Sequence, residues 1–166
     1  MSPPGISIRS ATADDWPAIW AILKPIFAGG ETYPYTADIA EAEARGLWLE
    51  TPAACFVACA ADGAVLGSYF LKANQPGRGA HVCNCGYATA EAARGRGVAT
   101  ALCRHSQDEA RALCFRAMQF NFVVSTNDGA VRLWRREGFE IVGTLPEAFA
   151  HPAHGFVDCF VMMKRL

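Results

Sequence analysis

The chain has 166 residues, of which 52% are apolar and 19% charged, and its formal net charge is −1. This is one domain's worth of sequence with ordinary globular composition, and its near-neutral balance argues against a dedicated nucleic-acid or membrane-surface binder. The longest apolar run, AACFVACAA at 53–61, is too short to span a bilayer.

The opening MSPPGISIRS lacks the apolar core of a secretory signal, which predicts a cytoplasmic protein. ISIRSAT alternates and predicts a first strand. Asp14 and Asp15 can cap a helix with Pro17 in its first turn, and Trp16, Ile19, Trp20, Leu23, Ile26 and Phe27 recur at helical spacing. Pro25 is expected to kink or end that helix. GGETYPYT reads as a loop, and a second helix capped by Thr36 or Asp38 follows to about Glu50.

The period then changes. CFVACA and VLGSYFLK read as strands joined by the turn ADGA, and HVCNCGYAT as a fourth strand with Gly86 as a candidate bulge. From Gly97 the pattern is helical, with Ala99, Leu102, Cys103, Ala110 and Leu113 on one stripe. MQFNFVVS is a strand, DGAVRLWRRE a short helix stopped by Gly138, and FEIVGTL and GFVDCFVMMK are strands around the loop PEAFAHPAH. The order is β-α-α-β-β-β-α-β-α-β-β, an α/β fold in which residues 1–166 form a single domain.

The seven cysteines cannot all pair, no CxxC occurs, and most sit in apolar strand or helix patterns. This predicts buried free thiols in a reducing compartment, and the spacing in CNC does not suit a zinc site. His151 and His154 with Asp158 read as a polar turn, so no metal is expected.

The stretch AARGRGVATAL, residues 92–102, carries the most chemistry. A glycine-rich turn between strand and helix presents unpaired N–H groups at the positive end of the helix dipole, and Arg94 and Arg96 add charge there. The dinucleotide fingerprint fails, because Thr100 stands where GxGxxG needs its third glycine after Gly95 and Gly97. The P-loop fails too, since no GK precedes a Ser or Thr. A third pattern, Arg-x-x-Gly-x-Ala, is met by Arg94, Gly97 and Ala99.

That pattern is the pyrophosphate-binding motif of the GCN5-related N-acetyltransferases (GNAT), which the sequence resembles. STNDGAVRLWRREGFEIVG resembles the family's second signature, through Asn127, Ala130, Leu133, Gly138 and Phe139. The resemblance implies a mixed, mostly antiparallel sheet of six to seven strands with helices on both faces. It also implies direct transfer of acetyl from acetyl-CoA to an amine. NCGYATAEAARGRGVA, FNFVVSTN and VRLWRREGFEIVGTLPEAF look like a narrower branch, which includes yeast acetyltransferases that detoxify proline analogues such as azetidine-2-carboxylate.

On that resemblance, Tyr87, Ala88, Thr89, Arg94, Gly95, Arg96, Gly97, Val98, Ala99, Thr100, Asn127 and Trp134 would hold the cofactor. A backbone N–H near Thr89 would polarise the thioester, and Asn84 and Asn121 would line the acceptor site with Glu31, Tyr33 and Tyr35. Alternation independently places Val82, Asn84, Gly86 and Ala88 on one face, and Gln119, Asn121 and Val123 on one face of the next strand.

Two departures stand out. Trp134 occupies the position where many relatives carry a tyrosine as acid to the thiolate, and Asn84 lies near where many place a glutamate base. Glu31, His81, His151, His154 or a water chain are the candidates for the base. Arg132, Arg135 and Arg136 could reach the adenosine phosphate or form a solvated helix face. The expected acceptor is a small amine, an amino acid or a proline-like analogue. A catalytically silent acyl-CoA-binding module and a protein N-acetyltransferase stay open as alternatives. Dimers are common in the family, and the C-terminal strand FVDCFVMM could contribute to an interface.

Overall fold

The computed structural model describes residues 5–166; residues 1–4, part of the segment read as lacking a leader, lie outside the described residues. Seven strands form one sheet: β1 (Ile6–Ser10), β2 (Ala54–Ala60), β3 (Val65–Ala73), β4 (Val82–Thr89), β5 (Ala117–Val124), β6 (Glu140–His151) and β7 (Gly155–Arg165). Their spatial order is β1-β2-β3-β4-β5-β7-β6, and every neighbouring pair is antiparallel except β4 with β5. The helices are α1 (Trp16–Gly29), α2 (Glu41–Arg45, continued by a π turn over Gly46–Glu50), α3 (Val98–Ala112) and α4 (Asp128–Arg136). The expected element order and the mixed, mostly antiparallel sheet are therefore both present.

Each face of the sheet carries its own core. One contains Leu71, Cys83, Met118 and Phe120 with Val98, Leu102 and Ala110 of α3 and Trp134 of α4. The other contains Val57 and Phe70 with Ile19, Leu23 and Phe27 of α1 and Trp48 of the π turn. Near-continuous apolar runs in the central strands, ACFVACA in β2 and VLGSYF in β3, are what permit this two-sided burial, and each fully buried Leu or Phe contributes roughly 1.5–3 kcal/mol.

Several expectations are corrected. Pro25 does not end α1, which runs on to Gly29. Proline removes the bond to the carbonyl of Ala21, but both residues are exposed, so water can take that carbonyl while Ile22, Leu23 and Phe27 stay buried. The second helix starts at Glu41, with Ala40 rather than Thr36 or Asp38 at its N-cap. Asp15 instead accepts two bonds from Arg9 (2.7 and 2.8 Å) and one from the Thr12 N–H (2.8 Å), pinning β1 to the start of α1. Leu113, expected on the buried stripe of α3, is 51% exposed because it caps the helix, and Cys114 follows in the left-handed region at φ 64°.

The segment read as the loop PEAFAHPAH is mostly strand, because β6 continues through Pro146 to His151. β6 is an edge strand, where a proline costs no ladder bond, and a register irregularity between Leu145 and Phe149 lets Phe149 turn inward against Val124 and Cys159. β7, offered as an interface strand, lies inside the sheet between β5 and β6. The large apolar side chains exposed on this hairpin are Val142 and Leu145 of β6 and Phe156 of β7.

Candidate active site

β4 and β5 run parallel but pair only at Val82–Ala117 and Cys83–Met118. Beyond that they diverge, and the gap opens a cleft of about 600 Å³. β4, β5, α4 and the loop from Glu31 to Tyr35 wall it, and Phe70 and Lys72 of β3 line its side.

Asn84 stands at the apex. Its Nδ2 donates to the Gln119 carbonyl across the gap (2.9 Å), replacing a ladder bond that the diverging backbones cannot make. Asn121 also lines the cleft, donating to Asn74 Oδ1 (2.6 Å) and accepting from Gln119 Nε2 (2.9 Å). A register irregularity between Phe120 and Val123 then flips the parity of β5. Val123 consequently packs in the core that holds Phe120, contrary to the shared face expected for Gln119, Asn121 and Val123.

Gly86 is not a bulge; its pairing with Phe70 lies in an unbroken register. Its missing side chain has another use. A Cβ there would collide with the edge of the Phe70 ring and stand 3.2 Å from the Tyr33 hydroxyl, so glycine admits both rings to the wall of the cleft. Tyr33 donates to the Tyr87 carbonyl (2.8 Å) and stacks on Tyr35 with centroids 5.9 Å apart. Burial pushes both phenols above their usual range, so each is neutral at pH 7.

At the other end of β4, a short turn over Glu91–Ala93 leads through Arg94 to Gly97, whose φ of 80° caps α3 in a conformation suited to glycine. The first α3 bond runs from the Ala101 N–H to the Gly97 carbonyl (3.0 Å). The N–H groups of Val98, Ala99 and Thr100 therefore have no acceptor within the helix and sit at its positive end. Arg94 and Ala99 line the cleft, whereas Gly95, Arg96, Gly97, Val98 and Thr100 do not. The Val98 side chain is core, which leaves only its N–H for a ligand. Thr100 Oγ1 accepts from Arg136 (3.0 Å), while Arg132 and Arg135 are exposed.

Tyr87, Ala88, Thr89, Asn127 and Trp134 also line the cleft. The Tyr87 hydroxyl is bonded to Ser106 (2.7 Å) inside the core, so its backbone is the part a ligand can use. Trp134 is packed at 4.9 Å against both Tyr87 and Phe120, and its indole can donate but holds no proton to give a thiolate at neutral pH. Asn127 Oδ1 caps α4 by accepting from the Ala130 N–H (3.2 Å), which leaves its NH₂ for other use.

Of the candidate bases, Glu31 is exposed at the rim and lines the cleft, and it shares an adjoining recess with His151. His81 and His154 line neither space. Asp158 accepts from the Glu147 N–H (2.9 Å) and shapes the β6–β7 hairpin. Among the described residues no group of three or more His, Cys, Asp or Glu is placed to hold a metal ion, and no helix is long and apolar enough to cross a membrane. Six cysteines are buried and Cys114 is exposed, all as free thiols; burial raises Cys55 to about 11 and Cys103 to about 12. The sequence reading missed Lys72 and Phe70. The signal was a register: Lys72 pairs with Asn84, but only the length of the β3–β4 connection fixes that.

The model of the acetyltransferase (GNAT) family matches residues 16–139. A GCN5-related N-acetyltransferase from Kribbella flavida is 47% identical, covers 99% of this chain and 100% of its own, and superimposes with a TM-score of 0.95. The N-acetyltransferase aca1 of Schizosaccharomyces pombe is 28% identical over 148 residues, 80% of this chain and 71% of that protein. A ribosomal-protein-alanine N-acetyltransferase from Brucella melitensis is 26% identical, with a TM-score of 0.84 over 96% of this chain and 99% of that one.

Proposed function

Because this chain belongs to the acetyltransferase (GNAT) family and is an acyl-transferring enzyme, we propose that residues 1–166 form one domain moving acetyl from acetyl-CoA to a small amine, an amino acid or a proline-like analogue. One observation carries the reading: a single cleft runs from Arg94 and Ala99 at the start of α3 to Asn84 and Asn121. Acetyl-CoA supplies an acetyl thioester; the protein supplies position and charge.

The residues fit such a ligand. Arg94 and the N–H groups of Val98, Ala99 and Thr100 form a cradle for a pyrophosphate, where charge-assisted bonds are strong. The diverging edge of β4 and the free NH₂ of Asn127 suit an extended amide arm. A backbone N–H near Thr89 polarises the reacting carbonyl. Asn84 and Asn121 hold the incoming amine, and Glu31 at the rim takes its proton. Trp134 leaves the departing thiolate without a side-chain acid at that position, so the transfer relies on approach geometry. The free buried thiols favour a reducing, cytoplasmic setting.

Thiol release from acetyl-CoA tests this directly, with azetidine-2-carboxylate, proline and other amino acids as acceptors. Turnover of one amine that drops at least ~100-fold in Asn84→Ala, with CoA binding retained, is the expected result. CoA binding without turnover of any amine would overturn it and favour the silent module or a protein acceptor.

A further inference from the structure

Two cations and one carboxylate line the cleft: Arg94, Lys72 and Glu31. Arg94 belongs to the turn before α3 and faces the proposed pyrophosphate. Lys72 has no such explanation. It sits on β3 directly across from Asn84, five residues before the end of β4, and strand geometry puts that about 17 Å from Thr89. An anion held by Arg94 is therefore not the one Lys72 meets.

The Lys72 side chain leans back along the cleft, its ammonium 5.4 Å from the centroid of the Phe70 ring. Phe70 pairs with Gly86, so the charge is carried toward the level of Gly86. Among the described residues Lys72 forms no ion pair. A half-buried lysine whose ammonium lies over an aromatic wall, in a cleft lined by two carboxamides and with no ion-pair partner among the described residues, is arranged for an anion from outside.

Resting on the acetyltransferase reading above, we propose that Lys72 is the specificity-determining residue for an acceptor that carries a carboxylate next to its amine. The dimensions agree. Gly86 lies three residues, about 10 Å of strand, from Thr89, where the reacting carbonyl is expected. An ammonium–carboxylate contact takes about 2.8 Å and the amine's approach to the carbonyl about 3–3.5 Å. What remains holds the Cα of an α-amino acid and little more, with the carboxylate toward Lys72 and the amine toward Thr89. Glu31 also lines the cleft, and its charge favours an acceptor amine over an acceptor carboxylate beside it.

The experiment compares azetidine-2-carboxylate with azetidine, and proline with pyrrolidine, in the full chain, alongside Lys72→Met and Lys72→Arg. In the wild type the acids outcompete the parent amines in kcat/KM. Lys72→Met is expected to collapse that ratio roughly 10- to 100-fold, chiefly through KM of the acid, with KM for acetyl-CoA as the internal reference, and Lys72→Arg to restore most of it. An acid-to-amine ratio that Lys72→Met leaves in place would overturn the assignment while the acetyltransferase reading stands. CoA binding without turnover of any amine would overturn both.

Discussion

The wall of the cleft gives the sharpest quantitative expectation. In Gly86→Ala the new Cβ collides with Phe70 Cε1, stands 2.9 Å from Cζ and 3.2 Å from the Tyr33 hydroxyl, where unstrained carbon contacts lie at about 3.5–4.0 Å. Phe70 cannot swing aside freely: it is 6% exposed and packed edge-on to Trp48 with centroids 5.0 Å apart. Overpacking of this kind costs about 1–3 kcal/mol, and losing the Tyr33–Tyr87 bond adds about 0.5–1.5 kcal/mol. The sum, about 1.5–4.5 kcal/mol, corresponds to a Tm lowered by about 4–15 °C in a chain of this size. Urea unfolding followed by tryptophan fluorescence measures it, with Phe70→Leu and the double variant completing a cycle. The double variant should recover about 1 kcal/mol or more. Gly86→Ala within about 0.5 kcal/mol of wild type, or strictly additive changes, would refute the packing argument.

Other expectations follow from single contacts. Asn127→Ala removes the α4 cap and should cost about 1 kcal/mol as well as raising KM for acetyl-CoA. Asn127→Asp keeps the cap oxygen and should raise KM alone, which paired denaturation and kinetics separate. Arg9 holds the Asp15 carboxyl down at about 2, so Asp15 stabilises the fold fully above about pH 4, and that contribution is lost as pH falls through 4 toward 2. Asp15→Asn should flatten this acid limb of a stability–pH curve. Burial lowers His105 below the usual imidazole range despite the nearby carboxylates of Glu109 and Asp108, and its Nδ1 lies 2.8 Å from the Tyr69 hydroxyl. Its contribution is therefore present above about pH 6.5 and declines as pH falls below that, a slope that His105→Gln should remove.

Element order, the stop at Gly138 and the glycine-rich start of α3 could be read because each is written in local chemistry: alternation, helical spacing, and a residue that tolerates positive φ. What escaped depends on partners distant in sequence. The parity flip in β5 comes from its irregular pairing with β7, so nothing within MQFNFVVS announces that Val123 abandons the face of Asn121. PEAFAHPAH reads as a loop, yet most of it is strand, because Pro146 is tolerated where the topology puts β6 at an edge. Pro25 argued for a kink or a helix end, but Ala21 is exposed, so water can take the freed carbonyl and α1 continues. At the site, the turn and the asparagines were legible as a pattern, but Lys72 was not. Its place in the cleft is set by which β4 residue it faces, and only the folded β3–β4 register supplies that.

Cys114, at its positive φ just past α3, has a practical side. Six thiols are buried, Cys85 of them lining the cleft, and this one faces solvent, so a thiol-reactive dye should titrate Cys114 quickly and the others more slowly. The fast group sets a background of one equivalent per chain in any assay that counts released CoA, while the five buried thiols outside the cleft report unfolding from the same signal. Glycine at 114 would remove that background and relieve the left-handed backbone together, giving a quieter and sturdier enzyme for kinetic work.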